Sequence, residues 1–358
     1  MMARAWLKWT PAVVAVAAVT AAAIGVPLAA NASAPLPHKT PAQVIAMIAS
    51  SNVRALSGTI EQTSDLGLPS LPTVGAGSDS TASATLELLT GSHTANIFLD
   101  GKSSARIQVL DQLAERDVIR HGSDVWIYDS KQHTAQHATV SSKTRGLPEK
   151  KLPIASPSEL ATKLLASLKS TSRVTVGAGV SVAGRSAYDL ILRPKAADTL
   201  LGSVSIAVDA STGLPLRVQL DARGQKTPAV SVGFSSVSFA KPAASVFAFT
   251  PPAGAKVTQL DSNQAKTEGK AGAAKPQDAT KRPTTTVTGT GWDSVVTVSK
   301  AAALSDLTGS PLFGQLTTSV SGGRVFHTSL VNVLITTDGR IVAGSVSVSR
   351  LQAVAAAQ

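Results

Sequence analysis

The chain has 358 residues, of which 43% are apolar, and it contains no cysteine. This length allows one large domain and a smaller one, and the apolar fraction is sufficient to bury a core. The lack of cysteine excludes disulfides, thiolate metal sites and a lipid-modified N-terminal cysteine. The formal net charge is +11, which in a cytosolic protein would favour nucleic acid as a partner.

Residues 1–32 have the layout of a secretory signal peptide. Arg4 and Lys8 precede a mostly apolar stretch, and Ala30-Asn31-Ala32 is a small-x-small cleavage site. An uncleaved membrane anchor is the alternative, because the stretch is nearly long enough to span a bilayer. Either way we predict an exported protein, in a periplasm-like cell envelope or secreted. Export excludes nucleic acid and makes anionic lipid or wall surfaces the expected partners, with general solubility as the other explanation for the charge.

Residues 33–256 are predicted to form the main domain. Thr40-Pro41-Ala42-Gln43 begins a helix with a capping box, and the apolar period then changes to two. The strands predicted before a second helix are Val53–Glu61, Ser83–Leu89, Thr94–Leu99, Ala105–Asp111, Ala114–Arg120, Val125–Tyr128 and Thr134–Val140.

The first strand is followed by a long loop, Asp65–Thr81, which carries Leu66, Leu68 and Leu71 without a strand period. Loops of this length are often functional. We therefore predict a mobile lid or a membrane contact at these leucines; simple packing over the end of the sheet is the alternative.

A second capping box at Ser156-Pro157-Ser158-Glu159 begins a helix that carries a leucine stripe. The meander then resumes. The strands predicted after this helix are Val174–Val176, Arg185–Arg193, Ser203–Asp209, Pro215–Asp221 and Ala229–Phe239, followed by a Phe-rich edge at Val246–Phe249.

Residues 257–285 lose all periodicity and are predicted to be a disordered linker. Residues 286–358 are predicted to form a small α+β module. They show a strand at Thr286–Val298, short helical pieces at Ala301–Leu307 and Leu312–Leu316, and a hairpin of Val325–Thr336 with Arg340–Val348. A unit of about 70 residues is marginal alone, so it is expected to dock on the main domain or on a partner.

The predicted fold is α+β, a half-open antiparallel β-barrel covered by helices, because a twisted sheet of this size curls on itself. Its strands carry aliphatic residues at alternate positions and few aromatic residues, which favours an apolar cavity. A fully packed core is the alternative. The predicted ligand-lining residues are Ile60, Ile97, Leu99, Val109, Trp126, Leu190, Ile206, Leu216 and Val218.

No arrangement of residues predicts catalysis. There is no G-x-S-x-G elbow, and turn aspartates such as Asp209 are expected to be structural. His133 and His137 have zinc-like spacing, but on a strand they would lie about 13 Å apart, too far for one ion. We therefore expect no enzyme activity, no metal and no cofactor.

Several motifs, taken in order, resemble the lipoprotein-carrier superfamily, that is LolA and LppX-like proteins and the sigma-E regulatory protein family RseB/MucB. The resemblance covers roughly residues 40–256. The residues that carry it are Ser57–Gln62, Val118–Asp129, Val182–Leu190, Val208–Leu216 and Phe247–Pro252.

The resemblance implies a half-barrel with a helical lid and an apolar pocket for a lipid or a lipoprotein acyl chain. RseB-like proteins add a small C-terminal domain that contacts an anti-sigma factor, and Thr337–Arg340 is similar to part of it. Two functions follow. The first is a carrier-like protein that binds and transports a lipid; the alternative is a regulator that senses envelope lipids or stress and contacts a membrane-anchored protein. Simple carriers lack the C-terminal module. The Ala- and Val-rich composition suits a high-GC bacterium, with or without an outer membrane.

Overall fold

The computed structural model describes residues 36–68, 91–111, 114–140, 156–260, 284–299 and 311–357. The predicted signal peptide, the strand predicted at Ser83–Leu89 and the helical piece predicted at Ala301–Leu307 lie outside these residues, as does most of the predicted linker. No helix in the described part of the chain is long and apolar enough to cross a membrane.

Among the described residues before residue 261, the structure has two α-helices and thirteen strands. Helix α1 spans Pro41–Ser50 and helix α2 spans Pro157–Leu168. The strands are β1 (Ala55–Ser64), β2 (His93–Asp100), β3 (Ser104–Asp111), β4 (Ala114–His121), β5 (Asp124–Asp129), β6 (Thr134–Thr139), β7 (Ser172–Val176), β8 (Val180–Val182), β9 (Arg185–Pro194), β10 (Leu201–Asp209), β11 (Pro215–Ala222), β12 (Val230–Ser238) and β13 (Lys256–Leu260).

Both helices begin where the capping boxes predict. The Thr40 hydroxyl accepts from the Gln43 amide at 3.3 Å, and Gln43 Oε1 accepts from the Thr40 amide at 2.8 Å. Ser156 and Glu159 make the same reciprocal pair at the start of α2. Each box satisfies two amides that have no partner within the helix.

The thirteen strands form one sheet in the order β13-β6-β5-β4-β3-β2-β1-β12-β11-β10-β9-β7, with β8 paired to β9. Every pair is antiparallel except β13 with β6. The predicted α+β class with a large antiparallel sheet is confirmed. Within the described residues the sheet stays open, with β7 and β13 at its two ends.

The helices lie over the β7–β12 half of the sheet. Val44 of α1 and Ala161 and Leu165 of α2 belong to one core with residues of β9, β10 and β11. Aliphatic residues alternate along those strands. Because every second side chain of a strand points to the same face, they meet in one core. We call this face of the sheet the inner face.

Three details of the main sheet differ from the sequence prediction. β8 was not predicted, because three residues are too few to show a period. Ala244–Phe247 is a turn of 3₁₀-helix rather than a strand edge. The chain then returns to the sheet as β13, so the first residues of the predicted linker pair with β6.

Residues after the linker form a second, six-stranded sheet. Helices α3 (Pro311–Leu316) and α4 (Val348–Ala356) accompany it. The sheet order is β14-β15-β19-β18-β17-β16, and its strands are β14 (Thr285–Thr288), β15 (Val295–Val298), β16 (Thr317–Val320), β17 (Gly323–His327), β18 (Asn332–Thr336) and β19 (Ile341–Gly344).

The strand predicted at Val325–Thr336 is interrupted. The Thr328 hydroxyl accepts from the Val331 amide at 2.9 Å and closes a turn between β17 and β18. Helix α4 was not predicted, although Leu351 and Val354 are buried in the core of this sheet. The hairpin prediction had extended its second strand to Val348, into the first residue of that helix.

Candidate functional site

A cavity of about 260 Å³ opens on the β3–β6 part of the main sheet. The strand alternation gives it an aliphatic wall and a polar rim. Val109, Val118 and Ile127 are the aliphatic residues. The other residues that line it are Arg116, Asp117, Tyr128, Asp129, Gln132, Thr134 and Gln136.

The strand register shows which predicted residues share this face. Ile97 pairs with Ile107, Ile107 with Val118, and Val118 with Ile127. Side chains directly opposite each other lie on one face of a sheet. Of the nine residues predicted to line a ligand, only Val109 lines the cavity.

Four of the predicted residues lie on the inner face near β1 and β2. Ile60, Ile97 and Val109 are buried together, and Leu99 packs against them. Leu216 is fully buried in the same cluster. This cluster continues from the cavity toward the strands under the helices.

The remaining aliphatic residues of the predicted set lie beneath the helices. Leu190, Ile206 and Val218 have no exposed surface and share their core with Leu165 of α2. Their side chains pack against this helix, whereas the cavity described above lies over β3–β6.

Trp126 does not lie with the other predicted residues. It pairs with Ile119, one position out of step with the row that contains Ile97 and Ile127. Neighbouring residues of a strand point to opposite faces, so Trp126 lies on the outer face. There its ring stacks on His137 at 4.3 Å and contacts Phe249 at 5.5 Å.

The predicted lid residues divide into two groups. Leu66 packs against the core beneath the helices, and its carbonyl accepts from the Ser329 amide at 2.9 Å. Leu68 is half-buried, and Leu71 lies outside the described residues. The described part of this loop therefore contacts both the main core and the second sheet.

A row of polar side chains crosses the outer face from β1 to β4. The Thr59 hydroxyl donates to Asn96, Asn96 donates to Gln108, and Gln108 donates to Glu115, at 2.7 to 3.0 Å. Arg106 lies next to this row. Its Nη2 donates to Asp117 Oδ2 at 2.5 Å.

Asp117 is almost completely buried, with 1% of its surface exposed. Burial raises its pKa to about 7, Glu115 adds to this effect, and Arg106 offsets only part of it. Its Oδ1 has no hydrogen-bond partner among the described residues. The contact with Arg106 therefore offsets only part of the free-energy cost of burying an ionised Asp117 carboxylate.

Asp209 is as deeply buried as Asp117, but its pKa is shifted in the opposite direction. Burial disfavours its charge, yet Arg185 and the hydroxyls of Ser211 and Thr212 donate to the carboxylate and lower its pKa. These bonds close the turn between β10 and β11. The structural role expected for this turn aspartate fits the hydrogen bonds that it makes.

Sequence reasoning missed how the second sheet docks on the first. Trp292, in a 3₁₀ turn before β15, is buried in the core that holds α2. Its Nε1 donates to the Ser172 hydroxyl at 2.7 Å, and Ser172 in turn donates to the Leu168 carbonyl at the end of α2. Gly291 lies so close to Thr171 that any side chain would collide with it. The sequence signal that could have indicated this docking contact is the pair Gly291-Trp292.

Two further contacts join the sheets at the same end of the molecule. Thr199 and Val346 form an isolated antiparallel bridge, and the Leu200 amide donates to the Ser345 carbonyl at 2.8 Å. Leu330 is buried in the main core. Together with Trp292, these contacts bind the second sheet to the α2 end of the first.

No group of three or more metal-ligating side chains occurs in the part of the chain that the structure describes. His137 instead lies between two oxygen atoms, with Nδ1 2.9 Å from Gln259 Oε1 and Nε2 3.0 Å from Asp124 Oδ1. His133 lies at the preceding turn with a positive φ of 49°. The two histidines are thus held by separate local structures.

The described chain thus has a large, antiparallel-rich open sheet with a second sheet docked on one end of it. Residues 84–245 match the family model described as the MucB/RseB N-terminal domain. This match confirms the resemblance to RseB/MucB, whose quoted motifs from Val118 to Leu216 fall inside the matched range.

Several solved structures are similar to the chain. The complex structure of Pseudomonas aeruginosa MucA/MucB is 18% identical, covers 88% of this chain and 96% of that chain, and has a TM-score of 0.41. A LolA superfamily protein from Nitrosomonas europaea is 8% identical over 59% of this chain and 99% of its own, with a TM-score of 0.24. No curated protein sequence matches the chain.

Proposed function

We propose that this chain is an exported, non-enzymatic regulatory protein of the cell envelope that binds a membrane-anchored anti-sigma factor. The observation that carries the proposal is the match of residues 84–245 to the MucB/RseB N-terminal domain. MucB of Pseudomonas aeruginosa has been solved in a complex with MucA. The alternative derived from the sequence, a regulator that contacts a membrane protein, is thereby favoured over a simple carrier.

The docked second sheet supports this proposal physically. The sequence predicts that residues 286–358 dock on the main domain or on a partner, and Trp292 lies buried against the end of α2. A buried tryptophan with its N–H satisfied is an effective anchor between two units. The two sheets would therefore present a single surface to a partner.

A pull-down from detergent-solubilised membranes of the source organism tests the proposal. We expect the full chain to retain a single-span membrane protein whose cytoplasmic part binds a sigma factor. Trp292→Ala should weaken retention because it frees the second sheet, whereas Trp126→Ala, on the outer face far along the sheet, should not. Failure of the wild-type chain to retain such a protein would overturn the proposal.

A second candidate function is binding of an apolar chain, and the cavity over β3–β6 favours it. Val109, Val118 and Ile127 would contact methylene groups, and each buried methylene contributes about 0.8 kcal/mol. At about 260 Å³ the cavity is just below the range of drug-sized pockets, which starts at about 300 Å³. It would thus take one end of a single acyl chain rather than a whole lipid. The half-barrel covered by helices would serve as its scaffold.

Mass spectrometry of protein purified without detergent, with uptake of a fluorescent fatty acid, tests this second function. Thr134→Trp at the cavity rim should reduce uptake, whereas Ser203→Trp on β10, away from the cavity, should leave it unchanged. If no lipid co-purifies and no fatty acid is taken up, the proposal of an apolar ligand is wrong. The proposal of a regulator that binds an anti-sigma factor would not be affected by that result.

A further inference from the structure

Each of the two sheets ends in strands whose outer edge has no neighbouring strand among the described residues. These end strands are β7 and β13 of the main sheet and β14 and β16 of the second sheet. An open edge presents unpaired backbone N–H and C=O groups to other chains. Proteins usually protect such an edge with a charged residue, a proline, a bulge or a covering element.

Three of these edges are protected. β7 carries Arg173 and β13 carries Lys256, each within a strand of five residues. β16 follows α3 directly, and the guanidinium of Arg324 donates to the Thr317 carbonyl and the Ser319 hydroxyl, both at 2.9 Å. A charged side chain therefore lies on or beside each of these three strands and disfavours pairing with another chain.

β14 has none of these protections. Its residues, Thr285 to Thr288, are uncharged and β-branched, and its register with β15 contains no bulge. The first three residues are exposed, and Val287 keeps 62% of its surface in solvent. β-Branched residues favour strands. A strand of this composition at an open edge is a site at which another strand can pair.

The backbone of β14 presents a regular set of free groups. The Thr284 carbonyl accepts from the Ser299 amide at 2.9 Å, and residues of an antiparallel pair are bonded at every second position. Thr286 therefore bonds to β15, whereas the N–H and C=O groups of Thr285 and Val287 point to the open edge. These two residues supply the donors and acceptors that an added strand needs.

The sequence at this edge suits a second copy of the same strand. Residues 284–288 read Thr-Thr-Thr-Val-Thr, so they are β-branched in either direction. In an antiparallel pair with its two-fold axis at Thr286, Thr285 lies opposite Val287 of the second copy, and their free groups bond to each other. β-Branched side chains then face each other across the pair. No charge lies in the paired segment, although each chain carries a net charge of +11.

The docking of the second sheet leaves room for this second copy. Trp292, which is buried in the main core, follows β14 closely, so the main sheet lies toward the Thr288 end of β14. Leu330 and Val346, which also contact the main sheet, lie beyond the strand ends on that same side. An antiparallel pair points the Thr288 ends of the two copies in opposite directions. The two main sheets therefore lie at opposite ends of the joined strands.

We propose that the chain forms a symmetric dimer in which β14 pairs antiparallel with β14 of a second copy and joins the two six-stranded sheets edge to edge. Stable complexes bury about 800 Å² per partner, and a pair of strands this short covers much less. The dimer is therefore weak and depends on protein concentration. It is independent of the anti-sigma proposal, because either contact can be present without the other.

Sedimentation velocity of residues 33–358, over roughly 5 to 500 µM, tests the dimer, since an interface of this size is weak. We expect the mass to rise from monomer to dimer with concentration. Val287→Lys places like charges near the axis and should raise the dissociation constant at least about fivefold. Val257→Lys makes the same change at the exposed valine of β13 and should leave the constant unchanged. A monomer at every concentration, or equal effects of the two variants, would overturn the proposal.

Single cysteines test the register, because the chain has no cysteine of its own. Thr286→Cys places two thiols opposite each other at a non-hydrogen-bonded position, where Cα atoms lie about 4.5 Å apart, within the range of a disulfide. Thr288→Cys is the matched control, because its two copies lie four residues apart along the strands, about 13 Å.

We expect Thr286→Cys to form a covalent dimer under mild oxidation much faster than Thr288→Cys, at a concentration where the wild-type chain is dimeric. Equal rates, or no covalent dimer of Thr286→Cys, would show that the copies meet at another surface and that the β14 pairing is wrong.

Discussion

The two halves of the main sheet are built from the same strand pattern but are stabilised differently. The β7–β12 half lies under α1 and α2, and its inner residues, such as Leu190, Leu192 and Ile206, have no exposed surface. The β2–β6 half contains the cavity, whose lining includes the buried Asp117, and carries the polar row on its outer face. Apolar packing therefore stabilises the first half, whereas hydrogen bonds and charged side chains contribute more to the second.

The largest expected difference between the two halves is the loss of stability when one isoleucine in each half is replaced by alanine. Ile206→Ala leaves a cavity in a filled core, so we expect a loss of about 4 kcal/mol in the free energy of unfolding. Ile127→Ala enlarges a space that already exists and should lose only about 1–2 kcal/mol. Urea unfolding of both variants measures the difference, and equal losses would show that the halves are packed alike.

Removing the Asp209 carboxylate should have the next largest effect. Asp209→Ala leaves Arg185 and the amide of Thr212 without their acceptor, and we expect a loss of about 3 kcal/mol. Ser211→Ala, which removes one donor, should lose less than about 1 kcal/mol. Thermal unfolding compares the two, and similar losses would mean that the carboxylate is not the centre of this turn.

Asp117 should make stability depend on pH in the other half. Its pKa is raised to about 7 in the folded chain, above its value near 3.9 in the unfolded chain. The folded state therefore binds more protons between these values, and stability falls as the pH rises through them. Urea unfolding between pH 4 and 8 measures this slope. Asp117→Asn should flatten it, and an unchanged slope in that variant would assign the dependence to another group.

The smallest effect is expected at the turn between β8 and β9. Ala183 has a φ of 51° and precedes Gly184 with a φ of 73°, the geometry in which Asn-Gly is favoured. Ala183→Asn should therefore stabilise the chain, by roughly 0.5 kcal/mol. Differential scanning calorimetry can detect the upward shift in melting temperature. Ala210→Asn, in a turn without positive φ at that residue, is the control and should show no such gain.

The sequence predicted those parts of the fold that depend on local patterns. The capping boxes at Thr40 and Ser156 and the strand alternation along β9–β11 rest on nearby residues, and the structure has them as expected. β13 and the docking of Trp292 depend on residues far apart in the chain, and no local period marks them.

The candidate site was only partly predictable for the same reason. The alternation of apolar residues predicts that Ile97 and Val109 lie on the same face of the sheet. This prediction needs only neighbouring residues, because side chains along a strand alternate between the two faces. Trp126 is predicted to line the same pocket, whereas its position in β5 points its side chain to the outer face. The prediction of an apolar ligand stays a prediction, now centred on Val109, Val118 and Ile127.

A chain cut after Ala32, as the predicted signal peptide implies, would keep two tryptophans, Trp126 and Trp292. They occupy opposite ends of the molecule, one against a histidine and one against a serine hydroxyl. Replacing either by phenylalanine leaves a single tryptophan. Each end of the protein can thus be followed by its own emission, without any added label.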